Sequence, residues 1–141
     1  MFLLQLCATS ALSLPLNHRV SIDLGYAARD GDMRTMRSIF EKSSARELNI
    51  ESALCLSASY CRIPAMRYLI AMGAKDTNTA LVAASVRNQM QSVRFLVSKE
   101  QCKVPATDLV SAIKVARNVG AADVEWFLLT TLKHANKKPN R

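Results

Sequence analysis

Residues 52–74, SALCLSASYCRIPAMRYLIAMGA, decide the fold. In the first half, Leu54 and Ala58 are four residues apart and so share one face of a helix. In the second half, the apolar residues of 66–70 follow the i, i+3, i+4 spacing of another helix. The segment around Pro64 between the two halves favours a turn. The stretch therefore predicts two short helices joined by a turn.

The same pattern recurs along the chain. Three copies open on a hydroxyl residue, an alanine and a branched aliphatic: Ser52-Ala53-Leu54, Thr79-Ala80-Leu81 and Ser111-Ala112-Ile113. With an earlier copy, the aliphatics are Leu24, Leu54, Leu81 and Ile113, spaced 30, 27 and 32 residues apart. One helix pair cannot bury its apolar face alone, whereas stacked pairs can. The sequence predicts an all-α solenoid of helix-turn-helix repeats, with each opening hydroxyl capping a first helix.

These repeats resemble the ankyrin repeat. The family's inter-helix glycine is present as Gly31 and Gly120, and its closing Gly-Ala as residues 73–74. Cys61 and Asn88 stand where the other two copies would carry the inter-helix glycine. The proline and histidine of the family's opening are replaced, and the signals of its inter-repeat hairpin are mostly missing. The resemblance implies an ankyrin-like array of about four degenerate repeats over residues 22–132.

Two segments flank the predicted array. Residues 1–21 are an apolar N-terminal segment, in which residues 2–8 resemble residues 68–74, the end of a second helix. We interpret residues 1–21 as a partial repeat helix, in which case the chain could be a fragment of a longer array; a cleaved signal peptide is the alternative. Residues 133–141 are predicted to be a basic flexible tail.

Composition excludes several classes. Half of the 141 residues are hydrophobic, which excludes a disordered chain, and four glycines and four prolines are too few for a β-sandwich. The net charge is +8, and half of it lies in the tail, in Lys133, Lys137, Lys138 and Arg141. No stretch is apolar and long enough to be a transmembrane segment.

The residues that could carry chemistry do not converge. The two histidines lie near the chain ends, and the cysteines lack the spacing of a zinc site. We therefore expect no enzyme activity, no catalytic residue, no metal and no cofactor. The cysteines are expected to be buried free thiols in a reducing compartment, which predicts an intracellular protein, cytoplasmic or nuclear. They are Cys7, Cys55, Cys61 and Cys102.

The resemblance to ankyrin arrays implies a protein–protein interaction module, a scaffold that binds a partner protein through a concave face. Self-association or docking on a larger array is a further expectation. Tyr60 and Arg87 are the strongest candidates for partner contact, because tyrosine and arginine are enriched at interface hot spots. Carried over residue by residue, the candidate partner-binding residues are Arg29, Asp30, Glu51, Tyr60, Lys75, Asp76, Asn78, Arg87 and Asn118.

A second surface leaves an alternative open. Arg37, Arg67 and Arg94 occupy matching places in three second helices, and Trp126 takes that place in the fourth. The three arginines would form either a solvated stripe or a surface for phosphates and acidic proteins. Trp126 is either a core residue or a terminal contact. The alternative functions are a helical-repeat nucleic-acid-binding protein, or a secreted effector if the N-terminus is a cleaved signal.

Overall fold

The computed structural model describes residues 15–98 and 104–137, and within them it shows eight α-helices and no strand. The predicted all-α fold is confirmed. The helices form four consecutive pairs, each with a first and a second helix. They are α1 (Leu16–Asp30), α2 (Met33–Lys42), α3 (Ile50–Ser59), α4 (Ile63–Ala71), α5 (Thr77–Val86), α6 (Met90–Val97), α7 (Ala106–Val119) and α8 (Ala122–Asn136).

The helices extend past both predicted ends of the array. α1 begins at Leu16, inside the segment assigned to residues 1–21, and α8 continues to Asn136, four residues into the predicted tail of 133–141. Residues 133–136 are thus helical rather than part of a flexible tail. The two interpretations of the N-terminus concern residues 1–14, which lie outside the described residues, as do residues 138–141.

The pairs stack in two layers. The first helices α1, α3, α5 and α7 pack side by side in chain order, and the second helices α2, α4, α6 and α8 lie against them. The predicted repeat leucines fill the space between the layers. Those fully shielded from solvent are Leu24, Leu54, Leu69, Leu81, Leu96 and Leu128. Because each layer buries its apolar face only against the other, the stack is the unit that excludes water.

The turn inside each pair has a left-handed residue. Gly31 and Gly120 both have φ 75°, Cys61 has φ 57° and Asn88 has φ 54°. These positions repeat with the spacing of the core leucines. This conformation is unfavourable for a residue with a side chain because its Cβ approaches the following carbonyl oxygen, and asparagine tolerates it better than most residues. The prediction that Cys61 and Asn88 replace the inter-helix glycine is confirmed.

The helix caps differ from the prediction. The N-cap residues of α3 and α5 are Asn49 and Asp76, which directly precede the helices. Their side-chain oxygens accept hydrogen bonds from the backbone N–H groups of Ser52 and Thr79, both at 3.0 Å. Ser52 and Thr79 are therefore the third residues of their helices, and their backbone N–H groups donate the capping hydrogen bonds. Ser111 lies still deeper, within α7. The prediction that these hydroxyls are N-caps is wrong, because an Asn or Asp side chain already takes that place in α3 and α5.

None of the helices described in residues 15–98 and 104–137 combines the length and the apolar character needed to cross a membrane.

Candidate protein-interaction surface

Exposed side chains gather at the C-terminal ends of the first helices. Each first helix is followed by a left-handed residue, and several side chains near its C-terminal end are exposed. Apolar side chains are among them: Tyr26 is 54% exposed, Tyr60 38%, Val86 47% and Val119 49%. We call this set the helix-end surface; its members are Tyr26, Arg29, Asp30, Tyr60, Val86, Arg87, Asn118 and Val119.

Tyr60 and Arg87 meet on this surface. Tyr60 caps the end of α3 and Arg87 caps the end of α5, so the two come from consecutive repeats. The guanidinium carbon of Arg87 lies 5.2 Å from the centroid of the Tyr60 ring. A cation over a ring face at this distance is stabilised by about 0.5–1 kcal/mol at an exposed site. The two strongest candidates from the sequence therefore form one exposed cation–π pair.

A second pair forms one repeat earlier. The Arg29 guanidinium lies 5.0 Å from the Tyr26 ring and bonds the Asp30 carboxylate at 2.8 Å. The hydrogen bond with Asp30 raises the pKa of Arg29, and the same bond lowers the pKa of Asp30. Arg62 Nε donates to the carbonyl oxygen of Arg29 at 2.9 Å. Sequence reasoning missed Tyr26, although its i, i+3 spacing to Arg29 places both on one helix face.

Glu51 acts inside the array. Its two carboxylate oxygens accept hydrogen bonds from the backbone N–H groups of Lys75 and Asp76, both at 2.9 Å. One repeat earlier, Ser21 Oγ accepts the N–H of Asn49 at 3.1 Å in the same way. These inter-repeat clips hold the start of the next first helix against the previous one. Glu51 as a partner-binding residue stays a prediction, with both oxygens engaged within the chain.

Asp76 and Lys75 lie beside that clip. Asp76 caps α5, and hydrogen bonds from the hydroxyl of Thr79, at 2.6 Å, and from its backbone N–H lower the pKa of Asp76. The backbone of Lys75 is held by the clip, while the residue as a whole is exposed. Partner contact by either residue stays a prediction. Both residues are exposed, and the carboxylate of Asp76 already accepts hydrogen bonds from Thr79.

Asn78 stands at the position of the third repeat that is equivalent to Glu51. Its Oδ1 is buried and accepts no hydrogen bond from any described residue. The equivalent donor in the next repeat is the N–H of Asp108, and this residue lies inside α7, which begins at Ala106. The N–H of Asp108 already bonds the carbonyl of Pro105 at 3.1 Å. The earlier start of α7 thus removes the clip. Asn118, the remaining predicted residue, is exposed near the end of α7.

The arginine column, defined as Arg37, Arg67 and Arg94, lies on the second helices. Arg67 is 5.7 Å from the Phe95 ring centroid and Arg94 is 5.4 Å from that of Phe127, so each reaches over the next repeat. All three arginines remain exposed. The solvated-stripe interpretation is therefore incomplete for two of them, since their guanidiniums pack on rings while facing solvent.

Trp126 takes the place of these arginines on the fourth second helix, α8, and is 70% exposed. The interpretation of Trp126 as a core residue is therefore wrong. Its indole stands in solvent because the core side of α8 is occupied by Val124 and Leu128, both fully buried. A terminal contact stays a prediction for this residue.

The described thiols are half-buried rather than fully buried as expected, and neither is in a disulfide. Burial raises the pKa of Cys55 to about 11. Cys61 Sγ lies 3.5 Å from Gln91 Oε1, to which it donates a weak hydrogen bond. Cys7 and Cys102 lie outside the described residues. Over residues 15–98 and 104–137, histidine, cysteine and carboxylate side chains form no group that could hold a metal ion.

Comparison with known proteins identifies the repeat. A family model described as ankyrin repeats, in three copies, matches residues 24–108, which is more than half of the chain. The matched region runs from the middle of α1 into α7. Comparison with curated proteins gives no match.

Proposed function

The chain belongs to the ankyrin-repeat family, and from that premise we propose that it binds one partner protein through the helix-end surface, on the concave side of the array. Ankyrin repeats generally mediate protein–protein interaction, and the family is typically non-enzymatic. The proposal assigns this chain the role of an interaction module that recognises its partner without transforming it.

The Tyr60–Arg87 pair carries the proposal. Tyrosine and arginine are enriched among residues whose truncation costs most at interfaces. The ring and the guanidinium already lie 5.2 Å apart, so both side chains are partly ordered before a partner arrives. Pre-ordering reduces the side-chain entropy lost on binding, which otherwise costs about 0.5–1.5 kcal/mol per immobilised side chain.

The surroundings of this pair suit a polypeptide. Tyr26 with Arg29 provides a second aromatic–guanidinium pair, and Val86 is 47% exposed next to Arg87 in the chain. The surface thus combines apolar area with guanidinium donors and the Asp30 carboxylate. Mixed surfaces of this kind are typical of interfaces that form and dissociate, which are about as polar as the rest of a protein surface.

Affinity capture from a cell lysate, with and without nuclease, tests the proposal when the bound proteins are identified by mass spectrometry. We expect a nuclease-resistant protein that is lost with Tyr60→Ala and with Arg87→Ala. Val110→Ala is the matched control, since it truncates an apolar side chain of α7 that is as exposed as Tyr60 and lies outside the helix-end surface. Equal loss with Val110→Ala, or capture that disappears with nuclease, would contradict binding at the helix-end surface.

We also propose an intracellular location, cytoplasmic or nuclear, supported by four cysteines that lack the spacing of a disulfide framework. Imaging of the full chain with a C-terminal fluorescent tag tests this location. Accumulation in the culture medium would favour the secreted alternative. Self-association stays a prediction that size-exclusion chromatography coupled to light scattering can test.

A further inference from the structure

Arg67 and Arg94 have no acidic residue on their own helices, whereas Glu41 lies four residues after Arg37 on α2 and forms no ion pair with it. α4 and α6 contain no aspartate or glutamate. Among the described residues only two ion pairs occur, Arg29–Asp30 and Arg117–Glu125, and neither involves the column. Asp123 shares a groove with Arg94 without pairing to it. The positive charge of Arg37, Arg67 and Arg94 is therefore left to the solvent or to a ligand.

Three carboxylates are engaged elsewhere in the array and do not face the column. Asp32 and Asp76 cap helices, and Glu51 clips two repeats together. These carboxylates are fixed on or beside the first helices, or at the start of α2. Of the other acidic residues, Glu41, Asp123 and Glu125 lie on second helices, and none of them forms an ion pair with the column. The chain as a whole has a net charge of +8.

The column is also partly ordered in advance. The rings of Phe95 and Phe127 support the guanidiniums of Arg67 and Arg94. Stacking uses the face of a guanidinium and leaves its N–H edge open for a bidentate contact with phosphate. No side-chain hydrogen bond from these two arginines occurs within the described residues.

We propose that the arginine column binds the phosphate backbone of a nucleic-acid duplex, without sequence preference and on a different layer from the helix-end surface. Neighbouring arginines are one repeat apart, and packed helices are separated by about 8–10 Å. Duplex DNA carries one charge per about 1.7 Å of its axis, so the column spans several phosphates. Releasing the counterions condensed on such a polymer drives binding in a way that the sparser carboxylates of a polypeptide do not match.

Fluorescence anisotropy with a labelled DNA duplex of mixed sequence, across a series of salt concentrations, measures this binding. Three phosphate contacts predict a slope of log K against log salt near −3, from about 0.9 per contact. Arg37→Ala should bring the slope about 1 closer to zero. Arg37 is exposed and stacks on no ring among the described residues, so we expect this variant to keep the fold. Arg67→Ala should change the slope by the same amount, provided that its circular dichroism is unchanged.

Matched variants locate the effect. Lys114→Ala removes one exposed positive charge from α7 and should leave the slope nearly unchanged, and Tyr60→Ala should not alter duplex binding. The assignment to the column would be overturned if Lys114→Ala brought the slope as close to zero as Arg37→Ala does. It would also be overturned if only Lys137→Ala/Lys138→Ala, in the terminal segment, changed the slope. Absence of binding at low salt, or tighter binding of poly-glutamate than of the duplex, would also overturn it.

Discussion

At the residue scale, the four repeats differ in which residue adopts the left-handed conformation between the two helices. Cys61 holds φ 57° where Gly31 and Gly120 hold φ 75°. The left-handed conformation costs a non-glycine residue roughly 1–2 kcal/mol, and replacing it with glycine recovers part of that cost. We expect Cys61→Gly to raise the free energy of unfolding by about 0.5–1 kcal/mol, measured by urea denaturation.

Two other turn positions serve as controls for this expectation. Asn88→Gly should gain less than Cys61→Gly, because asparagine tolerates the left-handed region better. Gly120→Ala should lose stability although an added Cβ there meets nothing within 4 Å, since its φ of 75° alone disfavours alanine. If Cys61→Gly destabilised the protein, the contacts of the thiol would matter more than the backbone strain.

The Cys55 thiol gives a second prediction at this scale. Burial raises its pKa to about 11, so the thiolate is a small minority at neutral pH. In a chain carrying Cys7→Ser, Cys61→Ser and Cys102→Ser, alkylation of Cys55 should be slow at neutral pH and speed up as the pH approaches that pKa. The measurement is alkylation rate by mass spectrometry, with glutathione as the reference thiol. A neutral-pH rate equal to that of glutathione would contradict the burial.

At the scale of the element, Asp76 determines where α5 begins. Its carboxylate accepts the N–H of Thr79 at 3.0 Å, and replacing such a cap with alanine costs about 0.5–2 kcal/mol. We expect Asp76→Ala to lower the free energy of unfolding by about 1 kcal/mol at neutral pH. Asp108→Ala, at the equivalent register but inside α7, is the control and should cost less.

Acid should remove the Asp76 effect. The pKa of Asp76 is lower in the folded chain than in the unfolded one, so the unfolded state binds the proton more readily. The carboxylate's contribution is therefore present above the unfolded pKa and is lost as the pH falls through the folded pKa. The difference between the wild type and Asp76→Ala, measured by urea denaturation, should shrink in acid. A difference that stays constant would mean that the charge plays no part in the cap.

The helix pairs could be predicted from the sequence, whereas the helix starts could not. Core positions such as Leu54 and Leu81 follow from spacing alone, because each first helix must bury one face. The cap is a competition between nearby polar residues, and a contact distant in the chain helps decide it: Glu51 holds the N–H groups of residues 75 and 76. No local pattern indicates this contact, and spacing alone places the caps of α3 and α5 at the hydroxyls of Ser52 and Thr79 rather than at Asn49 and Asp76.

The candidate surface, too, could be predicted from the sequence only in part. Tyr60 and Arg87 follow from the resemblance to ankyrin arrays, which implies partner contacts at the ends of first helices. Tyr26 does not, because the equivalent positions in the other repeats are half-buried: Leu56, Ala83 and Val115. Its large ring extends out of the packed layer and reaches Arg29 instead. The i, i+3 spacing puts Tyr26 and Arg29 on one helix face. The exposure of the ring depends instead on the size of the side chain against its neighbours, which spacing does not encode.

At the scale of the whole molecule, the array should lose structure from its ends. In a solenoid each repeat contacts only its neighbours, so stability is a sum of repeat and interface terms. α8 packs mainly on α7, whereas α5 packs on α3, α6 and α7. Leu128 and Leu81 are both fully buried, and replacing either with alanine should cost about 2–5 kcal/mol locally. The two substitutions nevertheless differ in how far the damage spreads.

Hydrogen exchange followed by mass spectrometry separates the two cases. With Leu128→Ala, we expect faster exchange in α7 and α8 and unchanged protection in α3, because the terminal pair can open alone. With Leu81→Ala, exchange should accelerate in α3, α5 and α7, because the central first helix supports both neighbours. If Leu128→Ala accelerated exchange in α3 as strongly as in α8, the stack would unfold as one cooperative unit, since inter-repeat contacts such as the Glu51 clip would then outweigh the independence of single repeats.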